Sequence, residues 1–257
     1  MKKGILVVSF GTSYEETRKK CIESIENKIT ETFKDYTVRR AFTSNMIIKK
    51  MKSVYQMDVD TPELGLERMI QDGITDITVQ PLHIIPGFEY EKIKSAVAKA
   101  NHKTGVQVKL GDPLLNTIEN YHETIAALNT QMPSENEREA VLFMGHGTEH
   151  HANACYSLLQ RLFDDQRKDV LIANVEGYPE LDDIMPKIKG NYDKLTLMPL
   201  MLVAGDHSQN DMAGDDEDSF KSVIEAEGIK VECVLKGLGE NDEIRDIFVR
   251  RIQEMME

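Results

Sequence analysis

The feature that most constrains this chain is an apolar run ending in a glycine-flanked histidine, Ala140-Val141-Leu142-Phe143-Met144-Gly145-His146-Gly147-Thr148. An unbroken apolar run of this length, closed by glycine, reads as a strand buried on both faces, the pattern of a parallel sheet covered by helices. The glycines let the backbone turn at the strand end. His146 then sits on a short loop at the carboxyl edge of a sheet, where open α/β folds bind ligands. The run has a counterpart at the start of the chain, Gly4-Ile5-Leu6-Val7-Val8-Ser9-Phe10-Gly11-Thr12, with Phe10 in the place of His146.

A second pair of segments matches in the same way. Pro81-Leu82 through Gly87 to Glu89 has the length of Pro199-Leu200 through Gly205 to His207, so Glu89 falls where His207 falls. Such self-similarity marks a chain built from two related halves. Apolar runs alternate with segments of helical periodicity, such as Ile22, Ile25 and Ile29, which predicts an α/β fold with parallel sheets. The 257 residues suffice for two domains. The expected architecture is two similar doubly wound lobes related by a pseudo-twofold, with strand ends pointing into a central cleft. The polar stretch 131–137 breaks the pattern and is the expected boundary. It gives an N-terminal lobe over 1–130 and a C-terminal lobe over 131–257 that carries the histidines, the final helix having the option of packing on the first lobe.

Charge narrows the partners. With 31 Lys and Arg against 44 Asp and Glu, the net charge is -13, which argues against nucleic acid and against an anionic membrane surface. No apolar run reaches the length of a membrane span. Met1-Lys2-Lys3 and the short run after it lack the cleavage pattern of a signal peptide. That run is read as a first strand, and a cytoplasmic location is expected. Cys21, Cys155 and Cys233 are far apart with no CxxC. Three small buried side chains are expected from them, rather than a disulfide framework or thiolate metal site. P-loop, GxGxxG and GxSxG motifs are missing, so nucleotide-driven and serine-hydrolase chemistry have no support.

The residues that can do chemistry cluster in the second half. His146 and His207 both follow buried strands on glycine-containing loops. Two neutral imidazoles suit a divalent cobalt, nickel, zinc or ferrous ion. Glu176, in Val175-Glu176-Gly177-Tyr178-Pro179, is placed to complete a two-histidine, one-carboxylate set with open positions. Glu89 is the rival carboxylate, although a helix N-terminus also favours a charge there. His150 and His151 read as exposed first-turn residues, since this is not HExxH and glycine interrupts the helical face. His83 reads as a core histidine, and His102 and His122 as exposed. The acidic run 215–218 reads as an N-cap cluster, and Arg39 or Arg40 as a partner for a substrate carboxylate.

Together, Met144-Gly-His-Gly-Thr-Glu-His-His, Val175-Glu-Gly-Tyr-Pro and Gly205-Asp-His-Ser-Gln-Asn-Asp-Met-Ala resemble the anaerobic cobalt chelatases of cobalamin biosynthesis. Ser9-Phe-Gly-Thr-Ser and Pro81-Leu-His-Ile-Ile extend the resemblance over nearly the whole chain. That family is similar in fold to ferrochelatase, with a tetrapyrrole bound between two α/β lobes. The resemblance implies a lyase that inserts Co²⁺ into sirohydrochlorin or precorrin-2 without ATP. Cobalt is then a substrate rather than a permanently bound cofactor, with ferrous iron or nickel as alternatives in vitro. It implies His146 and His207 as catalytic, metal-binding and proton-accepting residues, Glu176 as a further ligand and Glu89 as an alternative one. Phe10, Leu82 and Met201 are the expected apolar contacts to the macrocycle, with Glu89 beside them. A homo-oligomer is compatible with this reading. A ferrous or nickel chelatase, a non-catalytic metal or tetrapyrrole carrier, and a metal-dependent hydrolase are the competing readings.

Overall fold

Both apolar runs become interior strands. In the structure, a computed structural model that describes residues 2–104 and 106–257, Ile5 to Val8 and Val141 to Met144 are fully buried. The first part of the chain runs β1 (Lys2–Ser9), α1 (Glu15–Thr17), a π-helical stretch (Arg18–Glu23), α2 (Ser24–Thr32), β2 (Thr37–Phe42), α3 (Asn45–Tyr55), α4 (Pro62–Gln71), β3 (Ile74–Pro81), α5 (Phe88–Thr104) and β4 (Gln107–Leu110). It continues through α6 (Ile118–Asn129), β5 (Glu139–Gly147), α7 (Ala154–Asp164), β6 (Val170–Glu176), α8 (Leu181–Ile188), β7 (Lys194–Pro199), α9 (Phe220–Ala226), β8 (Lys230–Cys233) and α10 (Asp242–Met256). The strands form two four-stranded sheets, β2-β1-β3-β4 and β6-β5-β7-β8, parallel throughout. The two orders are the same once the second half is overlaid on the first.

Alternation along each central strand sends successive side chains to opposite faces. Leu6 and Val8 pack with Leu66 and Met69 of α4 and with Ile93 and Val97 of α5. The other face of that sheet is covered by α2 and α10, which pack on each other and on β2 and β3 respectively. Leu142 and Met144 pack with Ile184 and Ile188 of α8 and Ile224 of α9. On the opposite face Phe143 stacks on Phe163 of α7 at 6.2 Å, and α7 in turn packs on α6. Both sheets are therefore covered on both sides, which is why their central strands show no polar alternation.

The chain divides into one unit of Met1–Asn116 with Asp242–Glu257, and a second of Thr117–Asn241. The sequence pointed to 131–137 as the boundary; in the structure that stretch is a loop of the second unit. Arg167 donates to the carbonyl of Pro133 there, and the amide of Lys168 to the carboxylate of Glu135. The difference arises because α6 buries Tyr121, Ile125 and Leu128 in the unit of α7, not in the unit of the strand it follows. Conversely, α10 belongs to the first unit. The last helix of each half thus belongs to the other half's unit.

Each crossing is pinned by a polar side chain. The buried guanidinium of Arg251 in α10 donates to the carbonyls of Asp112, Pro113 and Leu114, just before the first crossing. Asn241, just before the second, donates to the carbonyl of Ala127 at the end of α6. Two smaller expectations also change. Ser219 caps α9, its hydroxyl accepting from the amide of Ser222 at 3.1 Å, while Asp215 pairs with Lys221 at 2.7 Å. The acidic run is therefore not the cap. Of the cysteines, only Cys21 is buried, and Cys155 and Cys233 are half-buried. No helix among the described residues is long and apolar enough to cross a membrane.

Arg251→Ala removes three charge-assisted hydrogen bonds at one stroke and leaves their carbonyls to find other partners. It is expected to lower unfolding stability by about 2–4 kcal/mol, read as an earlier midpoint in urea. A midpoint equal to wild type would show that the crossing does not depend on this anchor.

Candidate active site

The second unit's site is built where β5 and β6 end. Gly145 pairs with Asn174 and Gly147 with Glu176. Gly147 has φ +77°, and a Cβ on it would stand 1.5 Å from the carbonyl oxygen of Glu176. Only glycine permits that approach. The turn is held from beneath by the buried Tyr156, whose hydroxyl accepts from the amide of Gly147 at 3.4 Å. Burial pushes the Tyr156 phenol up to about 12, so it stays protonated. Asn153 ties the two strand-end loops together: its amide oxygen accepts from Thr148 N–H at 3.1 Å, and its Nδ2 donates to the Tyr178 carbonyl at 2.5 Å.

His146 is the next-to-last residue of β5, not part of a loop beyond it as the sequence suggests, because Gly145 and Gly147 on either side still pair with β6. The His146 side chain is exposed. Its Nδ1 lies 2.9 Å from the carbonyl oxygen of Gly147. A carbonyl can only accept, so Nδ1 carries the proton and Nε2 keeps its lone pair. His207 is reached through the loop after β7. That loop is held by Leu200 N–H donating to the Met144 carbonyl at 2.8 Å, and by Leu238 N–H donating to the Met201 carbonyl at 2.9 Å. The chain then enters a π-helical turn, Ser208–Met212. His207 Nδ1 lies 2.6 Å from Oδ2 of Asp211, which fixes the same tautomer. The two imidazole centroids are 4.7 Å apart with their planes at 86°. The structure therefore brings together the two histidines singled out by the sequence, each with Nε2 as its donor atom.

The carboxylates stand differently. Glu176 is exposed at the end of β6, in register with Gly147. Among the described residues no three His, Cys, Asp or Glu side chains are gathered closely enough to hold a metal ion, so the histidine pair is not joined by a third ligand. His150 is set the opposite way: its Nδ1 accepts from the amide of Ala152 at 3.1 Å. Its neutral form therefore carries the proton on Nε2, which removes that nitrogen as a donor. The His150 and His151 rings lie 4.0 Å apart, tilted by 35°.

In the first unit, Phe10 is 46% exposed at the end of β1, and Gly11 after it has a positive φ like Gly147. Leu82 N–H donates to the carbonyl of Val8 at 2.7 Å, as Leu200 does to Met144. Leu82 itself is 1% exposed, so it packs inside the unit and has no face to offer a macrocycle, contrary to expectation. Met201, half-buried, packs against the second unit's core. Glu89, in the first turn of α5, accepts from Lys92 at 2.6 Å through Oε1. Its Oε2 is buried with no hydrogen-bond partner among the described residues, and so is Nδ1 of His83. Burial lowers His83 to about 4, against the opposing pull of Glu89, so its ring is neutral. Arg39 and Arg40 are already engaged, with Asp72 and with Glu26 and Glu23. They border a cavity of about 560 Å³ with Asp58, Asp60 and Arg68, wholly within the first unit.

Sequence reasoning missed Tyr156, Asn153 and Asp211. The first two support the turn through side chains on the following helical segment, which no strand-end motif displays. Asp211 had a legible signal, since His207-x-x-x-Asp211 is one helical turn, but the segment was not read as helical.

Gly147→Ala and Gly190→Ala form a matched pair. Both residues have positive φ (+77° and +75°), but a Cβ on Gly190 meets nothing within 4 Å. Gly190→Ala is expected to cost about 1–3 kcal/mol from backbone strain alone. Gly147→Ala should cost more and displace the loop, seen as a larger fall in urea midpoint. Equal costs would show that the approach to Glu176 relaxes freely.

The cobalt chelatase (CbiK) family matches residues 3–257. The chain is 43% identical over 257 residues to the sirohydrochlorin cobaltochelatase of Salmonella typhimurium, covering 100% of this chain and 97% of that one. It is 34% identical over 251 residues to the sirohydrochlorin cobaltochelatase CbiKC of Nitratidesulfovibrio vulgaris, covering 96% and 88%. Among solved structures, SirB from Bacillus subtilis with Fe³⁺ superposes with a TM-score of 0.69 at 15% identity, over 99% of this chain and 96% of that one. That last likeness is one of fold, and it agrees with the two parallel sheets described above. With family and relatives matching from end to end, this chain belongs to the cobalt chelatase (CbiK) family.

Proposed function

We propose that this protein inserts Co²⁺ into sirohydrochlorin without ATP, as a cobaltochelatase of anaerobic cobalamin biosynthesis. The observation that carries the mechanism is the His146–His207 pair, 4.7 Å between ring centroids, with both Nδ1 atoms occupied and both Nε2 lone pairs turned to other use. Insertion requires the ion to shed water and the macrocycle to lose two pyrrole protons. Imidazole is the side chain whose ordinary protonation range spans neutrality, so it can both bind a borderline ion and take up a proton. A site with few protein donors holds the ion loosely enough to release it to four ring nitrogens.

In this reading Nε2 of His146 and of His207 holds the metal, and the same nitrogen, freed as the ion passes to the ring, takes up a pyrrole proton. Glu176, exposed one strand away from the turn, supplies the carboxylate, and Glu89 is the alternative. Phe10 offers an apolar face to the ring, while Leu82 is a core residue of the first unit and Met201, in the loop leading to His207, packs on the second unit's core. Cobalt enters as substrate, with ferrous iron or nickel accepted in its place in vitro. The reaction is assigned to the cytoplasm. Partners are the tetrapyrrole and the ion; the net charge of -13 gives no electrostatic purchase on nucleic acid or an anionic membrane.

The test is anaerobic sirohydrochlorin with Co²⁺, followed by visible absorption, with Fe²⁺ and Ni²⁺ in parallel. Wild type should accelerate cobalt insertion over the uncatalysed reaction. His146→Ala should slow it by roughly 10²–10⁴-fold with an unchanged circular dichroism spectrum, since both flanking glycines remain. No acceleration by wild type rejects the enzyme, and stoichiometric binding without insertion would make it a carrier.

A further inference from the structure

We propose that Asp211 is a positioning residue for the metal: its carboxylate holds the His207 ring with Nε2 presented to the incoming divalent ion and makes His207 the stronger donor of the pair. This rests on the reading of His146 and His207 as metal ligands and adds to it an asymmetry between them. The two rings carry different partners on Nδ1. His146 donates to a neutral backbone carbonyl at 2.9 Å, and His207 to a carboxylate at 2.6 Å. A charged acceptor strengthens the bond and pushes electron density through the ring, raising the donor strength of the opposite nitrogen.

The segment is built to hold Asp211 in place. It lies four residues beyond His207 in the π-helical turn Ser208–Met212, whose first and last residues are buried. Met212 is part of the second unit's core. The carboxylate and imidazole are themselves 45% and 38% exposed. A polar contact that exposed adds little to stability, so fold maintenance is a poor account of it. Orientation of a ring that must meet an ion from solvent is a better one.

The experiment measures Co²⁺ affinity of the whole protein by calorimetry, for wild type, Asp211→Asn, Asp211→Ala and His207→Ala. Asparagine retains an acceptor oxygen and loses the charge; alanine loses both. Asp211→Ala should bind Co²⁺ 10–100-fold more weakly, with Asp211→Asn between it and wild type, and with unchanged urea midpoints. In turnover, the KM for Co²⁺ should rise while that for sirohydrochlorin holds. Imidazole ¹⁵N spectra of the metal-free Asp211→Ala protein should show His207 losing its single Nδ1–H form. Wild-type affinity in Asp211→Ala, alongside weakened binding in His207→Ala, would overturn the inference and leave the metal site standing. Wild-type affinity in His207→Ala would overturn the site reading and this inference with it. A fall in stability without a fall in affinity would make Asp211 structural and nothing more.

Discussion

The carbonyl of Glu176 occupies the space that a side chain on residue 147 would need. Because β5 and β6 end that close together, the chain at Gly147 must take a left-handed turn. That turn brings the Gly147 carbonyl within reach of Nδ1 of the preceding histidine. The tautomer of His146, and so the identity of its donor atom, follows from a missing side chain at its neighbour. Tyr156 and Asn153 then fasten the turn from below and from the adjoining loop. A backbone constraint becomes a statement about which nitrogen can meet an ion.

The two halves share this scaffold and differ in what they hang on it. Val8 and Met144 receive the same hydrogen bond from Leu82 and Leu200, and Gly11 and Gly147 turn the same way. At the equivalent positions stand Phe10 and His146, and Glu89 and His207. One copy of the turn offers an apolar ring and a carboxylate, the other two imidazoles. A structural zinc site closes itself with four ligands; among the described residues the two imidazoles are not gathered with a third His, Cys, Asp or Glu side chain.

Much of this was legible before any coordinates. Buried parallel strands need apolar side chains on both faces, so Ile5 to Val8 and Val141 to Met144 announced themselves. The glycine-histidine-glycine turn and the matched spacing to His207 pointed to two rings that stand 4.7 Å apart. The lobe boundary was not legible, because the apolar stripe of α6 specifies that it must pack on something and not which unit supplies the partner. Leu82 was misread as a contact surface because an apolar residue beside a loop looks alike in sequence whether it faces in or out. The π-helical turn left no trace in composition, since one residue's change in hydrogen-bond register alters no residue type, and Asp211 was hidden with it. Arg39 and Arg40 looked available until their acidic neighbours, distant in sequence, closed on them.

The exchange of last helices has a consequence for how this architecture can be taken apart. The polypeptide passes from one unit to the other at 116/117 and returns at 241/242, so the first unit is discontinuous and the second is an insertion within it. A gene cut at the midpoint would yield one fragment carrying α6 and lacking α10, and another carrying α10 and lacking α6. Only the inserted block, 117–241, is a contiguous cassette, and recombination between ancestral copies would have to respect those two seams.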